Sequence, residues 1–282
     1  MAREIIIRNS RFFKNPLSIT DIIGKENWMY GTSDDYGRIE TGKADGSGPL
    51  IVYDPIHIGR GVQVLNIESS KEIQLALPHP ATKGDVRMLY CMAQRIASLW
   101  KADYIALEEE DIKVSEIETS IEKDIEMNVK LLETFEEAVG KEGATLFCAT
   151  LPISFTIEEF RAFAADYESF GKVLHQKQKI EAYFSVALFR TYNDELCSHY
   201  VFFDGGDIIL PKVPEMQYVS GEETLSCSRA FVMIPELFPD EKSTRVDFAT
   251  FMERIPAEKK TEFDCRHVLI RPLSKKELQK LV

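Results

Sequence analysis

Paired cysteines are missing from this sequence. Cys91, Cys148, Cys197, Cys227 and Cys265 stand far apart, and none forms a C-x-x-C pair. That spacing excludes a zinc ribbon and a thioredoxin-type centre. An odd number of thiols spread through apolar segments fits buried free cysteines in a reducing cytoplasm. There is no G-x-x-x-x-G-K-[ST] phosphate loop and no G-x-S-x-G elbow. His57, His79, His175, His199 and His267 are scattered, without the H-x-x-x-H spacing of a metal helix. No cofactor and no metal are therefore expected. No window approaches the ~20 apolar residues of a membrane span. The run Ile5–Ile7 is too short for the apolar core of a secretory signal. Positive charge is also scarce: 34 Lys and Arg stand against 46 Asp and Glu, a net charge of −12. Nucleic-acid binding draws on an excess of the opposite sign, and anionic membrane surfaces repel such a chain. The expectation is a cytoplasmic protein that binds neither nucleic acid nor membrane.

What is present is a chain able to fold. Apolar residues make up 44% of the 282, and 17 are Phe, enough for a sizeable core. The clearest pattern is a repeated local order. An apolar run ends near a proline, a Ser or Thr follows, an acid comes three residues later, and an apolar residue comes next. Ser18-x-x-Asp21, Thr82-x-x-Asp85, Thr156-x-x-Glu159, Thr244-x-x-Asp247 and Ser274-x-x-Glu277 all fit it. The hydroxyl accepts from a free amide of the first helical turn, and the acid reaches back to the capping residue. Each proline closes the preceding strand because it cannot donate to a ladder. Five strand–loop–helix units follow. Two of them, around Leu77-Pro78 and Leu151-Pro152, align at an offset of 74 residues. That alignment fits either an internal duplication or two uses of common capping chemistry.

Residues 82–101 carry the apolar stripe of an amphipathic helix. Ser115 opens a long helix near 116–140 with an acidic outer face, ended by Gly140 or Gly143. Residues 156–180 read as helical. Phe184–Thr191, Leu196–Phe203 and Ile208–Leu210 read as an antiparallel three-strand meander, its turns at 192–195 and Asp204–Asp207. Tyr30–Pro49, rich in glycine, reads as a long loop or a hairpin. The fold class is α+β with mixed sheets. The division expected is an N-terminal half, 1–143, and a C-terminal half, 144–282, with a single domain as the alternative.

Charge is uneven along the chain. Residues 1–14 carry +3 and residues 266–282 carry +4, which leaves −19 on the middle. Either the basic ends lie on an acidic body or the lysines simply solvate the last helix.

One loop gathers chemistry. Tyr53-Asp54-Pro55-Ile56-His57-Ile58-Gly59-Arg60-Gly61 lies between two apolar runs. Asp54, His57 and Arg60 are the candidate ligand-binding residues, able to hold an anion or to move protons, with glycines that let backbone approach a ligand. The plainer reading is a turn in which Arg60 pairs with Asp54. Asp204-Gly205-Gly206-Asp207 could hold a metal, but flanking strands make it a hairpin turn. The acids Glu108–Asp111 read as a solvated loop. His199 and His267 read as satisfied core histidines. Cys227 lacks the spacing of a phosphatase loop. No catalytic residue is assigned.

The segment Tyr53–Gly61, with Leu75–Pro80 after it, resembles an uncharacterised family of Gram-positive bacterial cytoplasmic proteins known only as a domain of unknown function. The resemblance implies a bacterial origin. It implies no activity and supplies no catalytic residues. The functional expectation is a non-enzymatic module that binds a protein, a basic one given the charge of the middle. The alternatives are a small-molecule-binding domain or enzyme with its pocket at the 53–61 loop, and a structural subunit of a homo-oligomer.

Overall fold

A computed structural model describes residues 2–12, 15–33, 39–44, 49–108, 110–192, 194–235 and 245–281. Thr244, Asn193, Glu109, Gly37, Gly46 and Gly48 lie outside the described residues. The protein is α+β, and it divides into two compact units, Met1–Ile180 and Glu181–Val282. The expected boundary at 143/144 falls inside the first.

The first unit opens with β1 (Ala2–Arg8), α1 (Ile19–Ile23), β2 (Met29–Ser33), β3 (Ile39–Thr41), β4 (Leu50–Tyr53), β5 (Val62–Leu65) and β6 (Glu72–Pro78). There follow α2 (Lys83–Trp100), β7 (Tyr104–Leu107), β8 (Glu110–Lys113), α3 (Ile117–Glu133) and α4 (Phe135–Val139). It closes with β9 (Ala144–Phe147), β10 (Pro152–Phe155), α5 (Ile157–Ala165) and α6 (Tyr167–Gln178). Eight strands form one sheet in the order β3-β2-β4-β5-β6-β1-β7-β8. β1 lies antiparallel to β6 over its full length, with Ile5 opposite Leu75 and Ile7 opposite Ile73. Those side chains are buried with Leu89, Ala93, Ile96 and Trp100 of α2, so α2 covers this face of the sheet.

Capping starts the helices as the residues predict. Ser18, Thr82 and Thr156 each form a reciprocal box with the acid three residues on. β2 and β3 pair, so the glycine-rich stretch contains a hairpin. The run at 145–151 differs from its expected single strand: only its first half lies in β9, residues 148–151 make the turn, and Pro152 opens the paired strand β10 rather than closing the first. A strand's first residue is a place where proline's missing donor costs nothing. The long acidic helix also differs. Ser115 does not cap it; a 3-10 turn at Val114–Glu116 leads into α3. Thr134 then bonds back to the Lys130 carbonyl at 3.1 Å and α4 starts anew, to end at Gly140. Such back-bonding by Thr bends helices. Asp166 similarly separates α5 from α6 and caps the second. Glu110 and Asp111 belong to β8, not to a loop, and Glu108 pairs with Arg3.

The second unit comprises β11 (Ala182–Phe184), β12 (Leu188–Tyr192), β13 (Glu195–Val201), β14 (Asp207–Pro211), β15 (Gln217–Ser220), β16 (Glu223–Ser226) and β17 (Arg229–Met233). After these come β18 (Arg245–Asp247), α7 (Phe248–Arg254), β19 (Lys260–Glu262), β20 (His267–Ile270) and α8 (Lys275–Leu281). The expected meander is only partly formed. β12 and β13 make a hairpin, but β14 enters another sheet, ordered β11-β14-β20-β19. Ile208, Ile209 and Leu210 are all buried, and β14 hydrogen-bonds to β11 along one edge and to β20 along the other. Asp204–Asp207 is therefore a crossover and not a hairpin turn. Asp207 pairs with Arg271 at 2.7 Å, and among the described residues no cluster of three His, Cys, Asp or Glu could hold a metal. α7 begins at Phe248 with Asp247 as its cap, three residues later than expected. Ser274 and Glu277 form the last reciprocal cap, on α8.

No helix among the described residues is long and apolar enough to cross a membrane.

Candidate functional site

The loop after β4 has an outer and an inner half. Asp54 starts it: Oδ1 accepts from the Ile56 amide at 2.8 Å, and Oδ2 accepts from His57 Nδ1 at 3.2 Å. The His57 side chain is 76% exposed. The chain then dives inward, and Ile58, Gly59, Arg60 and Gly61 are all buried. A Cβ on Gly59 would lie 2.2 Å from the Asp85 carboxylate, so only glycine lets the backbone pass so close. Gly61 adopts φ +73, and a Cβ there would lie 2.7 Å from the Ile51 side chain.

Asp85, 3% exposed, sits in the first turn of α2 and grips this inner half. Its carboxylate accepts from the Arg60 amide at 2.9 Å and the Gly61 amide at 3.1 Å. It also accepts from the Thr82 amide at 3.1 Å and the Thr82 hydroxyl at 2.7 Å. The same acid thus caps a helix and fastens a loop. Arg60 points away from Asp54. Its Nε donates to the Phe147 carbonyl at 2.9 Å and its Nη1 to the Pro80 carbonyl at 2.8 Å. The turn reading paired Arg60 with Asp54; the structure pairs it with two carbonyls instead, because burial leaves a guanidinium no water and carbonyls at strand ends are free acceptors.

α6 closes the junction from another side. Gln178 donates to the Gly59 carbonyl at 2.8 Å and accepts from the Thr150 amide at 2.8 Å. His175 Nδ1 accepts from the Ile58 amide at 3.1 Å, which fixes the proton of the neutral ring on Nε2. The Tyr167 hydroxyl donates to the Ala81 carbonyl at 2.6 Å. Burial shifts the groups here. It lowers the Arg60 pKa against the pull of Cys148 and Asp85. It pushes the Cys148 thiol up to about 12, although Arg60 opposes the shift. It raises the Tyr167 hydroxyl and lowers His175, to which Lys179 adds.

A second polar junction fixes α3. Asp124 accepts from Arg3 Nε at 2.9 Å, from Arg3 Nη2 and from the Tyr90 hydroxyl at 2.8 Å. Asn128 accepts from the Ala81 amide at 2.7 Å and from His79 Nδ1 at 3.0 Å. So the basic N-terminal strand does meet acids of the body through Arg3, whereas Lys275, Lys276 and Lys280 of α8 are exposed.

Of the three candidate ligand-binding residues, the structure brings Asp54 and His57 together, with the His175 ring 6.3 Å from that of His57. It does not bring Arg60 to them. A cavity of about 550 Å³ lies elsewhere, at the end of α2, lined by Gln94, Ser98, Lys101, Asp103, Tyr104 and Lys113 among others. Cys227 is buried and its thiol is pushed up, opposite to what a nucleophile needs. His267 meets Asp264 at 2.8 Å, a satisfied core histidine.

Fold and site together define an α+β protein whose best-formed polar centre is the buried Arg60 loop, its amides held by Asp85 and its guanidinium by two backbone carbonyls. Residues 2–281 match the family described as Domain of unknown function (DUF4299), and the chain belongs to that family. No curated protein and no solved structure matches it. The two stretches that carried the resemblance, Tyr53–Gly61 and Leu75–Pro80, meet in space through Arg60 and the Pro80 carbonyl.

Proposed function

We propose that this protein works by binding a basic protein partner through the outer face of α3. The observation that carries the reading is a row of carboxylates on a helix fixed from behind. Glu118, Glu122 and Glu126 recur every four residues, about 6 Å apart along the axis, and all three are exposed. The opposite face is held by Asp124 and Asn128 in buried hydrogen bonds. A fixed row of like charges steers a basic surface toward it and falls off with salt. The test is capture from the native host on the immobilised protein, beside the triple variant Glu118→Lys, Glu122→Lys, Glu126→Lys. A basic protein retained by the wild type, lost on the variant and weakened by salt supports the reading. Failure to retain any partner at low and physiological salt, or equal retention by the variant, defeats it.

A second reading rests on the exposed Asp54–His57 pair beside His175. A carboxylate that orients an imidazole at the surface can bind a small ligand or pass a proton. Arg60 has no part in it. A ligand-stabilisation screen on the wild type and on Asp54→Asn with His57→Gln decides: any hit must vanish in the double variant.

A further inference from the structure

The last two turns of α2, the link into β7 and the end of β8 enclose the cavity of about 550 Å³. That volume lies among those of small-molecule sites, about 300–1,000 Å³. Gln94, Ala97, Ser98 and Lys101 recur at spacings of three and four, so one stripe of α2 forms the first wall. Asp103 and Tyr104 form the second, and Lys113 and Ser115 the third. The walls are tied to one another by backbone. The Val114 amide donates to the Asp103 carbonyl at 2.9 Å, and Tyr104 lies opposite Lys113 in the register of β7 and β8. Trp100, 1% exposed, anchors the end of α2 in the core.

The fold makes no use of the polar side chains that line this cavity. Those of Gln94, Ser98, Lys101, Asp103, Lys113 and Ser115 have no hydrogen bond and no ion pair among the described residues. Tyr104 is 52% exposed and makes no ring contact among them. The last carbonyls of α2 are already taken: those of Ala97 and Ser98 accept from the Ala102 and Lys101 amides at 2.9 and 3.3 Å. Lys101 itself closes the helix at φ 54, in the left-handed region where glycine costs least, so a lysine is not a requirement of the turn.

The lining chemistry is selective. Two ammonium groups only donate, and they attract an oxyanion. The Asp103 carboxylate only accepts and repels an oxyanion, so the same ligand must also offer donors. Gln94, Ser98 and Ser115 pair with either kind of group, and the Tyr104 ring offers a flat apolar surface with a polar tip. A bare phosphate leaves Asp103 unmatched, and a neutral sugar leaves the lysines unmatched.

We propose that this cavity binds a phosphorylated sugar, with Lys101 and Lys113 as donors to the phosphate, Asp103 as acceptor from the hydroxyls and Tyr104 against the ring. The proposal rests on neither reading given above and stands or falls apart from them.

The test is a titration of the isotope-labelled full chain, followed by amide chemical shifts, with glucose 6-phosphate and with ribose 5-phosphate. Each is compared with its free sugar and with inorganic phosphate at constant ionic strength. Saturable one-to-one shifts centred on residues 98–104 and 113–115 are expected with at least one phosphorylated sugar, and its separate halves bind at least about tenfold more weakly. Lys101→Gly removes one ammonium group and eases the backbone, so affinity drops by about fivefold while the melting temperature holds or rises. Lys113→Gln, on the edge strand β8, weakens binding to a similar degree, and Lys275→Gln on α8 leaves it unchanged. No saturable binding of either phosphorylated sugar, equal binding of free sugar or inorganic phosphate, shifts confined to other residues, or an unchanged affinity in either of the first two variants overturns the proposal.

Discussion

Asp85 accepts hydrogen bonds from three backbone amides and one hydroxyl, all of them buried. Removing the carboxylate leaves those donors without water or partner. Asp85→Ala is expected to cost about 3 kcal/mol or more, since each orphaned buried donor costs about 1–3 kcal/mol. Urea unfolding followed by circular dichroism measures it; a loss under about 1 kcal/mol, no more than an ordinary cap, would mean that the loop does not depend on this acid. Half of this was legible in the residues. Thr82-x-x-Asp85 announces a cap because both ends of the bond lie in one turn. The grip on Arg60 and Gly61 is invisible locally, since it spans 25 residues. The partners of Arg60 are backbone carbonyls, which every residue owns, so no side-chain pattern marks Phe147 or Pro80 as acceptors. Gln178 has no sequence signal at all.

Helix starts were readable because capping is local, and strand partners were not because pairing is global. Thr156 illustrates the first: its hydroxyl accepts from the Glu159 amide at 3.2 Å while Glu159 accepts from the Thr156 amide at 2.8 Å. Thr156→Ala is expected to lose about 1 kcal/mol. Thr82→Ala should lose more, because Thr82 is buried and shares Asp85 with the loop. Denaturant midpoints of the two variants compare them directly, and a smaller loss at Thr82 would contradict the shared role. β14 illustrates the second. Its apolar run reads equally as an edge of a meander or as a central strand, and only its pairing with β11 on one side and β20 on the other decides. α3 shows a third case. Its apolar stripe predicted the helix, and Asp124 and Asn128 lie on that same stripe, seven residues after Ile117 and Ile121; their polarity, not their spacing, hid them as anchors of the inner face.

Each unit of the whole chain has its own buried apolar cluster, around Leu75 and Leu89 in the first and around Val232 and Ile270 in the second. Separately expressed 1–180 and 181–282 are expected to fold, with dispersed amide spectra, whereas a cut at 143/144 removes Gln178 and His175 from the Arg60 loop. Independent folding of 1–143 would count against that division. Acid acts on the molecule through histidines. His79, His175 and His199 all have lowered pKa values, burial being the first cause in each. The unfolded chain binds these protons near the usual 6.5, the native state only at lower pH. Between the two the unfolded state holds more protons, so stability rises with pH through that window and is lost as pH falls through the native values. Thermal melts from pH 7.5 to 5 should drop below about pH 6.5, and His175→Gln should flatten the slope; a midpoint that rises with acid would refute the assignment.

All five thiols are free, so no covalent link ties distant parts of the chain. The contacts around Arg60 do that work, spanning 25, 87 and 119 residues to Asp85, Phe147 and Gln178. They close large loops as a crosslink would, but with bonds that need no oxidant to form and that no reductant can break.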